Sequence, residues 1–387
     1  MILIDDNTIE KIAKISVKAL ALKKGENIVI ASGVHNHRLA EKIAIESMLL
    51  GALPIVTTRS DEYLLELHEK VPEDYLKQTP KHIFEMVKNS NAYVSIEHPK
   101  DPSITSKYPI NKVQAFREGF FPIREHILTK LKWLYLGYPT EEAAKFFNIP
   151  YEELKRLIIG GILIDYDKLQ EKCKWLESVL RDIVEVHITD EFGTDLTLKI
   201  EGRRINLDDG IITEEDIKIG DLGLNLPAGE VFIAPHETEG NGTLFVPLTR
   251  ERFTGRFIKN ATLVFENGKL NIEKSSAEEG FEYLKQALER SMEIDRKRFG
   301  NNIRTLNFAE LGIGLNPHID KPIGYILTDE KIGGSVHIAI GENRGYGGTS
   351  ASSLHWDFVS APKETIEVVY KSGERKTIMT DGKLVKS

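Results

Sequence analysis

The hydrophobic period of this chain changes once, near residue 182, and that change limits its fold more than any other feature. Before it, short apolar runs alternate with helix-like stretches. Residues 27–33 read as a buried strand ending at Gly33, and 54–58, 92–96 and 133–137 read as three more. Between the first two, Leu39, Ile43, Ile45, Leu49 and Leu50 lie at the spacing of an amphipathic helix, and Asp61 stands where it can cap a helix reaching about Lys70. Apolar strands separated by helices predict βαβ units and a parallel sheet covered on both faces. A helical stretch from about Asp165 to Arg181 closes this half.

After the change the signals are those of hairpins. Residues 183–188 and 196–200 alternate about a turn at Gly193. Thr262-Leu263-Val264-Phe265 and Leu270-Asn271-Ile272 flank Asn267-Gly268, a strong two-residue hairpin signal, and further turns are expected at Ser372-Gly373 and Asp381-Gly382. One helix interrupts them. Ser276-x-x-Glu279 has the pattern of a capping box, Phe281, Leu284, Leu288 and Met292 form a stripe, and Gly300 follows a basic last turn. The reading is an α/β N-terminal domain with a largely parallel sheet over 1–180, followed by a β-rich α+β domain over 181–387.

Composition removes several function classes. A formal charge of −8 argues against a nucleic-acid or membrane-surface partner, and the lone Cys173 excludes disulfide frameworks and Cys-cluster metal sites. No apolar run is long enough to span a bilayer, and the stretch from Met1 to Asp6 lacks a signal-type pattern, so a cytoplasmic chain is expected. Gln occurs only at 78, 114, 170 and 286 while Lys and Glu abound, a composition of heat-adapted proteins. There is no P-loop, no G-x-G-x-x-G turn, no H-E-x-x-H and no G-x-S-x-G elbow. His35 and His37 read as a surface-loop pair rather than a metal pair, and Cys173 as packing.

Four segments of the second half place ionisable residues among apolar and glycine residues. Glu230 opens an apolar strand after Pro227-Ala228-Gly229, and Glu310 sits in Phe308-Ala309-Glu310-Leu311-Gly312 without a charged neighbour. On a strand of period two, His337 shares a face with Ser335, Ala339 and Gly341, all small, which leaves room for a ligand. His355 and Asp357 point together, away from Leu354, Trp356 and Phe358. Two imidazoles and three carboxylates, with no matching basic residues inside these motifs, call for divalent cations. Two such ions leave about one positive charge, suited to a bridging hydroxide, and the donor set favours zinc, cobalt or manganese over copper or calcium.

These segments resemble the signature of the thermophilic metallo-aminopeptidase family of the aminopeptidase T and aminopeptidase S type, with Thr194-Asp195-Leu196-Thr197-Leu198 as a further match. The resemblance implies metal ligands at Glu230, Glu310, His337, His355 and Asp357. It also implies two divalent ions (Zn²⁺ or Co²⁺, with Mn²⁺ or Mg²⁺ as alternatives) and a homodimer whose sites face an enclosed cavity. The α/β domain would wall that cavity and serve dimerisation, and the substrates would be peptides with a free N-terminus. The family's catalytic Tyr falls at Arg344 here, and Tyr346 stands two positions on; either side chain could stabilise an oxyanion, and Tyr346 is the one expected to take the catalytic role. Glu310 is a candidate proton shuttle as well as a ligand. A rival reading takes His337, His355 and Asp357 as the facial triad of a mononuclear non-haem iron ring-cleaving dioxygenase, and a third is a metal-stabilised scaffold without turnover.

Overall fold

The computed structural model describes residues 4–385, so the stretch from Met1 to Leu3 lies outside it. The chain divides into two compact units, Met1–Leu163 with Gly210–Pro227, and Ile164–Asp209 with Ala228–Ser387. The change of period suggests a single cut near 180. The structure instead gives the Tyr166–Leu180 helix to the second unit and returns Gly210–Pro227 to the first.

The first unit is built on a five-stranded sheet whose strands run parallel in the order Leu53–Arg59, Asn27–Gly33, Ala92–Ile96, Lys132–Leu136, Gly223–Leu226. Four of these are the expected strands. The fifth arrives after an excursion through the second unit, and no local pattern announces it. Ile28, Ile30, Val94, Ile96 and Leu136 are fully buried, as expected of a sheet covered on both faces. The helix at Asp61–Lys70 is capped by Ser60, which accepts from the Tyr63 N–H, rather than by Asp61. Asp61 is its first residue, and its carboxylate accepts instead from the Lys100 and Asp101 N–H groups at 2.9 Å each.

The second unit holds two antiparallel sheets. One has eight strands and contains the hairpins expected at Gly193, Asn267-Gly268, Ser372-Gly373 and Asp381-Gly382. Asn267 and Gly268 both adopt positive φ (51° and 71°), which is the conformation this two-residue turn requires. The Ser276–Glu279 segment is not a capping box. The strand runs on through Lys269–Glu279, pairing Ser276 with Thr262 and Glu279 with Lys259, and the Phe281–Phe299 helix starts after Gly280 at φ 80°. Cross-strand pairing won over the local capping signal.

The second sheet has five strands in the order His355–Val359, Val336–Gly341, Phe308–Gly314, Glu230–Ile233, Ile205–Asp208. One of its faces meets the eight-stranded sheet. The Trp356 indole N–H donates to Thr249 at 3.3 Å, and the Phe265 and Phe308 rings lie 4.7 Å apart. Val336, Ile338, Ile340 and Phe358 are fully buried, each stabilising by about 1.5–3 kcal/mol. The opposite face of these strands is where the ionisable residues project.

Candidate metal centre

Adjacent strands deliver the side chains in register. Gly312 pairs with His337, Ala339 with Asp357, Gly341 with His355 and Gly314 with Glu230, so nearly every candidate ligand stands beside a residue with little or no side chain. At Gly312 the requirement is steric, because a Cβ there would lie 1.9 Å from the His337 ring. A register shift between Phe308 and Glu310 lets one extra residue bulge, and Glu310 then shares the face of Gly312 and His337.

The result is a compact cluster. The His337 Nε2 lies 3.1 Å from one Glu310 oxygen and 3.6 Å from Glu230, while the His355 Nε2 lies 3.0 Å from Asp357 and 3.5 Å from the other Glu310 oxygen. The His355 Nδ1 stands 2.8 Å from the Glu342 carbonyl. A carbonyl only accepts, so Nδ1 carries a proton and Nε2 is directed at the carboxylates. Burial lowers the pKa of both imidazoles, but the surrounding carboxylates outweigh it and raise His337 to about 9 and His355 to about 10. Burial likewise works against ionised Asp357, yet His355 and then His337 hold its carboxyl far below the usual range.

A buried cation, which no sequence motif marks, completes the cluster. Lys331 is fully buried and its ammonium pairs with Asp208 at 2.8 Å, with Glu330 at 3.0 Å and with Glu230. Facing three carboxylates keeps Lys331 protonated despite its burial. One ammonium cannot hold three carboxylates ionised, and burial pushes Glu230 up to about 8 and Glu330 upward as well. Lys331 lies outside the four motifs, and Asp208-Asp209-Gly210 lacks EF-hand spacing, so neither carried a recognisable signal.

Divalent ions would meet the shortage of positive charge, and the donors suit them. Glu230, Glu310 and His337 form one group, and Glu310, His355 and Asp357 a second, with the donor atoms of each within 4.8 Å of one another. Glu310 is common to both. One Glu230 oxygen and the His337 Nδ1 are buried without hydrogen-bond partners. These residues fit a metal centre.

The two candidates for oxyanion stabilisation part company. Arg344 is 57% exposed and forks onto Glu342 at 2.8 and 2.9 Å, away from the cluster. The Tyr346 ring packs 5.4 Å from His355 and 5.5 Å from Phe232, and burial, then the charges of Glu310 and Asp357, keep its hydroxyl protonated. His35 and His37 do not converge: His35 packs edge-on against Tyr138, and His37 bonds Thr58 at 2.9 Å. Cys173 is buried in a helix and its thiol pKa is raised well above the ordinary value, chiefly by burial.

Imidazoles and carboxylates gathered on one face of an antiparallel sheet define a metalloenzyme site. A model of the thermophilic metalloprotease (M29) family matches residues 5–384, and the chain belongs to that family. Aminopeptidase 2 of Geobacillus stearothermophilus is 24% identical, with 97% of both chains covered. Aminopeptidase AmpS of Bacillus subtilis is 24% identical over 69% of this chain and 70% of its own. Among solved structures, AmpT of Thermus thermophilus has the same fold, with a TM-score of 0.78 at 22% identity over 98% of this chain and 99% of that one. A 2,5-dihydroxypyridine dioxygenase of Pseudomonas putida KT2440 shares the architecture more loosely, with a TM-score of 0.60 at 14% identity over 100% and 99% of the two chains.

Proposed function

We infer that the chain is a metal-dependent aminopeptidase, and we propose that Glu230, Glu310, His337, His355 and Asp357 hold two divalent ions, Zn²⁺ or Co²⁺ in preference to Mn²⁺ or Mg²⁺. The observation that carries the two-ion reading is Glu310, which presents one oxygen to each donor group. When bound, two such ions would supply Lewis acidity to a water and to the scissile carbonyl, and a seat for the free α-amino group.

The chain's own residues do the rest. Glu310 stands between two imidazoles, where it is placed to serve both donor groups as their shared carboxylate. His355, oriented by the Glu342 carbonyl, keeps its Nε2 toward Asp357. Tyr346 donates its phenolic proton to the developing oxyanion, and Arg344, committed to Glu342, takes no part. Substrates are peptides with a free N-terminus, acted on by a homodimer, as the family resemblance implies. No described helix is long and apolar enough to cross a membrane.

The test compares a leucyl anilide with its N-acetylated twin, on protein stripped with chelator and resupplied with zinc, cobalt or manganese, at about 70 °C. Metal-dependent cleavage of the free-amine compound alone is expected. A single-iron dioxygenase would use His337, His355 and Asp357 and leave Glu230 and Glu310 without a role. Bound iron with oxygen uptake on a dihydroxylated aromatic, and no anilide cleavage, would favour that reading instead.

A further inference from the structure

The loop that carries Tyr346 joins Val336–Gly341 to His355–Val359 and contains Gly345, Gly347 and Gly348 around a single short turn, Arg344–Tyr346. A glycine-rich loop pays the largest conformational entropy on ordering and does not by itself hold an aromatic ring in one place. Here the ring sits 5.4 Å from His355, so something else fixes it.

Arg204 and Asn206 donate to the Gly345 and Tyr346 carbonyls at 2.9 and 3.4 Å, and Glu237 ties both ends of the loop. Glu237 is 6% exposed and follows the strand that begins at Glu230. One of its oxygens accepts from the Asn343 side-chain amide at 3.1 Å and from the Thr349 N–H at 2.7 Å, at the two ends of the loop. The other accepts from Arg203 at 2.6 Å. Arg203 in turn donates to the Gly347 carbonyl at 3.2 Å, and Asn343 accepts from the Ser350 N–H at 2.7 Å. Glu237 is itself fixed, because its carbonyl accepts from the Asn307 side chain at 2.8 Å, immediately before the strand that bears Glu310. Hydrogen bonds from Thr349, Arg203 and Asn343 overcome its burial and hold the carboxyl at about 2, so the clamp is ionised throughout the neutral range.

We propose that Glu237 is the positioning residue of the reaction: through Asn343, Thr349 and Arg203 it ties the 342–350 loop to the strands bearing Glu230 and Glu310, and thereby aims the Tyr346 hydroxyl at the substrate carbonyl. This rests on the assignment of Tyr346 as the oxyanion donor. The hydrogen-bond partners of the Glu237 carboxylate, Asn343, Thr349 and Arg203, include none of the proposed metal ligands, and its effect passes through the loop. In Glu237→Gln the shape is kept, but an amide NH₂ must face Arg203 or the Asn343–Thr349 donors, and one side of the clamp opens.

The experiment is a double-mutant cycle on the full-length, metal-loaded protein with Glu237→Gln, Tyr346→Phe and the pair, read as kcat and KM on the leucyl anilide. Metal content, thermal midpoint and hydrogen exchange at Thr349 and Ser350 are followed in parallel. Tyr346→Phe should lower kcat by about 100-fold or more with metal retained. Glu237→Gln should lower kcat by about tenfold or more with KM little changed, metal content intact and faster exchange at Thr349 and Ser350. In the double variant Glu237→Gln should add almost nothing, because the group it aims is already gone. Full additivity, or normal kcat in Glu237→Gln despite faster exchange, would overturn the clamp. Normal kcat in Tyr346→Phe would instead overturn the oxyanion assignment beneath it. Should Glu237→Gln fold poorly, Asn343→Ala opens the same link from the loop side and is held to the same outcomes.

Discussion

His35 in the first unit is half-buried and His337 in the second is fully buried, each against a glycine that leaves no space for a side chain. Burial pushes both toward the neutral form, yet they end on opposite sides of the ordinary value. His35 falls to about 4, because burial outweighs the opposing charge of Asp61, whose carboxylate is occupied by two backbone N–H groups. His337 rises to about 9, because Glu310 and Glu230 face it at 3.1 and 3.6 Å. The first unit also has a cavity of about 570 Å³, lined by His35, Asp61, Lys100, Tyr138 and Glu142 among others and containing none of the candidate ligands. There Lys100 and Glu142 pair off at 2.7 Å and their charges cancel. The other carboxylates lining that cavity, Asp61, Glu62 and Glu141, are half-buried or exposed, whereas Glu230, Glu310 and Asp357 are buried. Buried carboxylates in excess of cations, more than cavity volume, distinguish the place where chemistry is expected.

The sharpest way to break this comparison is to remove the carboxylate shared by both donor groups. Glu310→Gln should lose bound metal and lower turnover by well over ~100-fold, more than the loss of an outer-shell partner brings. Metal analysis and anilide hydrolysis read it, and a fully loaded, active variant would dismantle the shared-ligand arrangement.

The two glycines allow one lesion to be made twice. Gly312→Ala would drive a Cβ to 1.9 Å from the His337 ring, and Gly33→Ala to 2.4 Å from His35. A ligand displaced by about 1 Å should cost the first variant about 100-fold in kcat, while the second keeps its kcat. Equal losses in both would show that backbone disturbance, not the imidazole, is being measured.

Removing the buried cation comes next. Lys331→Met leaves Asp208, Glu230 and Glu330 without their ammonium, and a cost of about 3–5 kcal/mol in denaturant unfolding of metal-free protein is expected. An unchanged midpoint would mean that those carboxylates take up protons at no cost.

The pH responses of the two regions should run in opposite directions. His337 and His355, raised to about 9 and about 10, contribute stability that is complete below their unfolded value of 6.5 and is lost as pH rises through the folded values. Glu230, raised to about 8, acts in the same sense from 4.5 upward. Chelator-stripped protein should therefore melt at a lower temperature at pH 9.5 than at pH 7, and metal uptake at pH 7 should release protons, seen as a buffer-dependent heat in calorimetry. The smallest effect belongs to His35, whose depressed value makes its contribution fall away as pH drops from 6.5 toward 4. His35→Phe should flatten the thermal midpoint over that interval, and an unaltered slope would remove His35 from the account.

What the sequence determined on its own was everything local to a segment. The period change separated an α/β region from a hairpin region. Period two along a strand put His355 beside Asp357 and His337 among Ser335, Ala339 and Gly341, and Asn267-Gly268 fixed a turn, because side-chain direction and turn conformation are set within a few residues. Tertiary structure decided what lies between segments. It placed Gly223–Leu226 in the parallel sheet, turned Ser276–Glu279 from a cap into a strand, and sent Arg344 outward while Tyr346 turned in. It also brought Lys331 to Glu230 across 101 residues and Glu237 to Asn343 across 106. Such pairings follow from strand order and from the need to satisfy buried charge, and a buried Lys or Glu looks the same in sequence whether its partner is a neighbour or a hundred residues away.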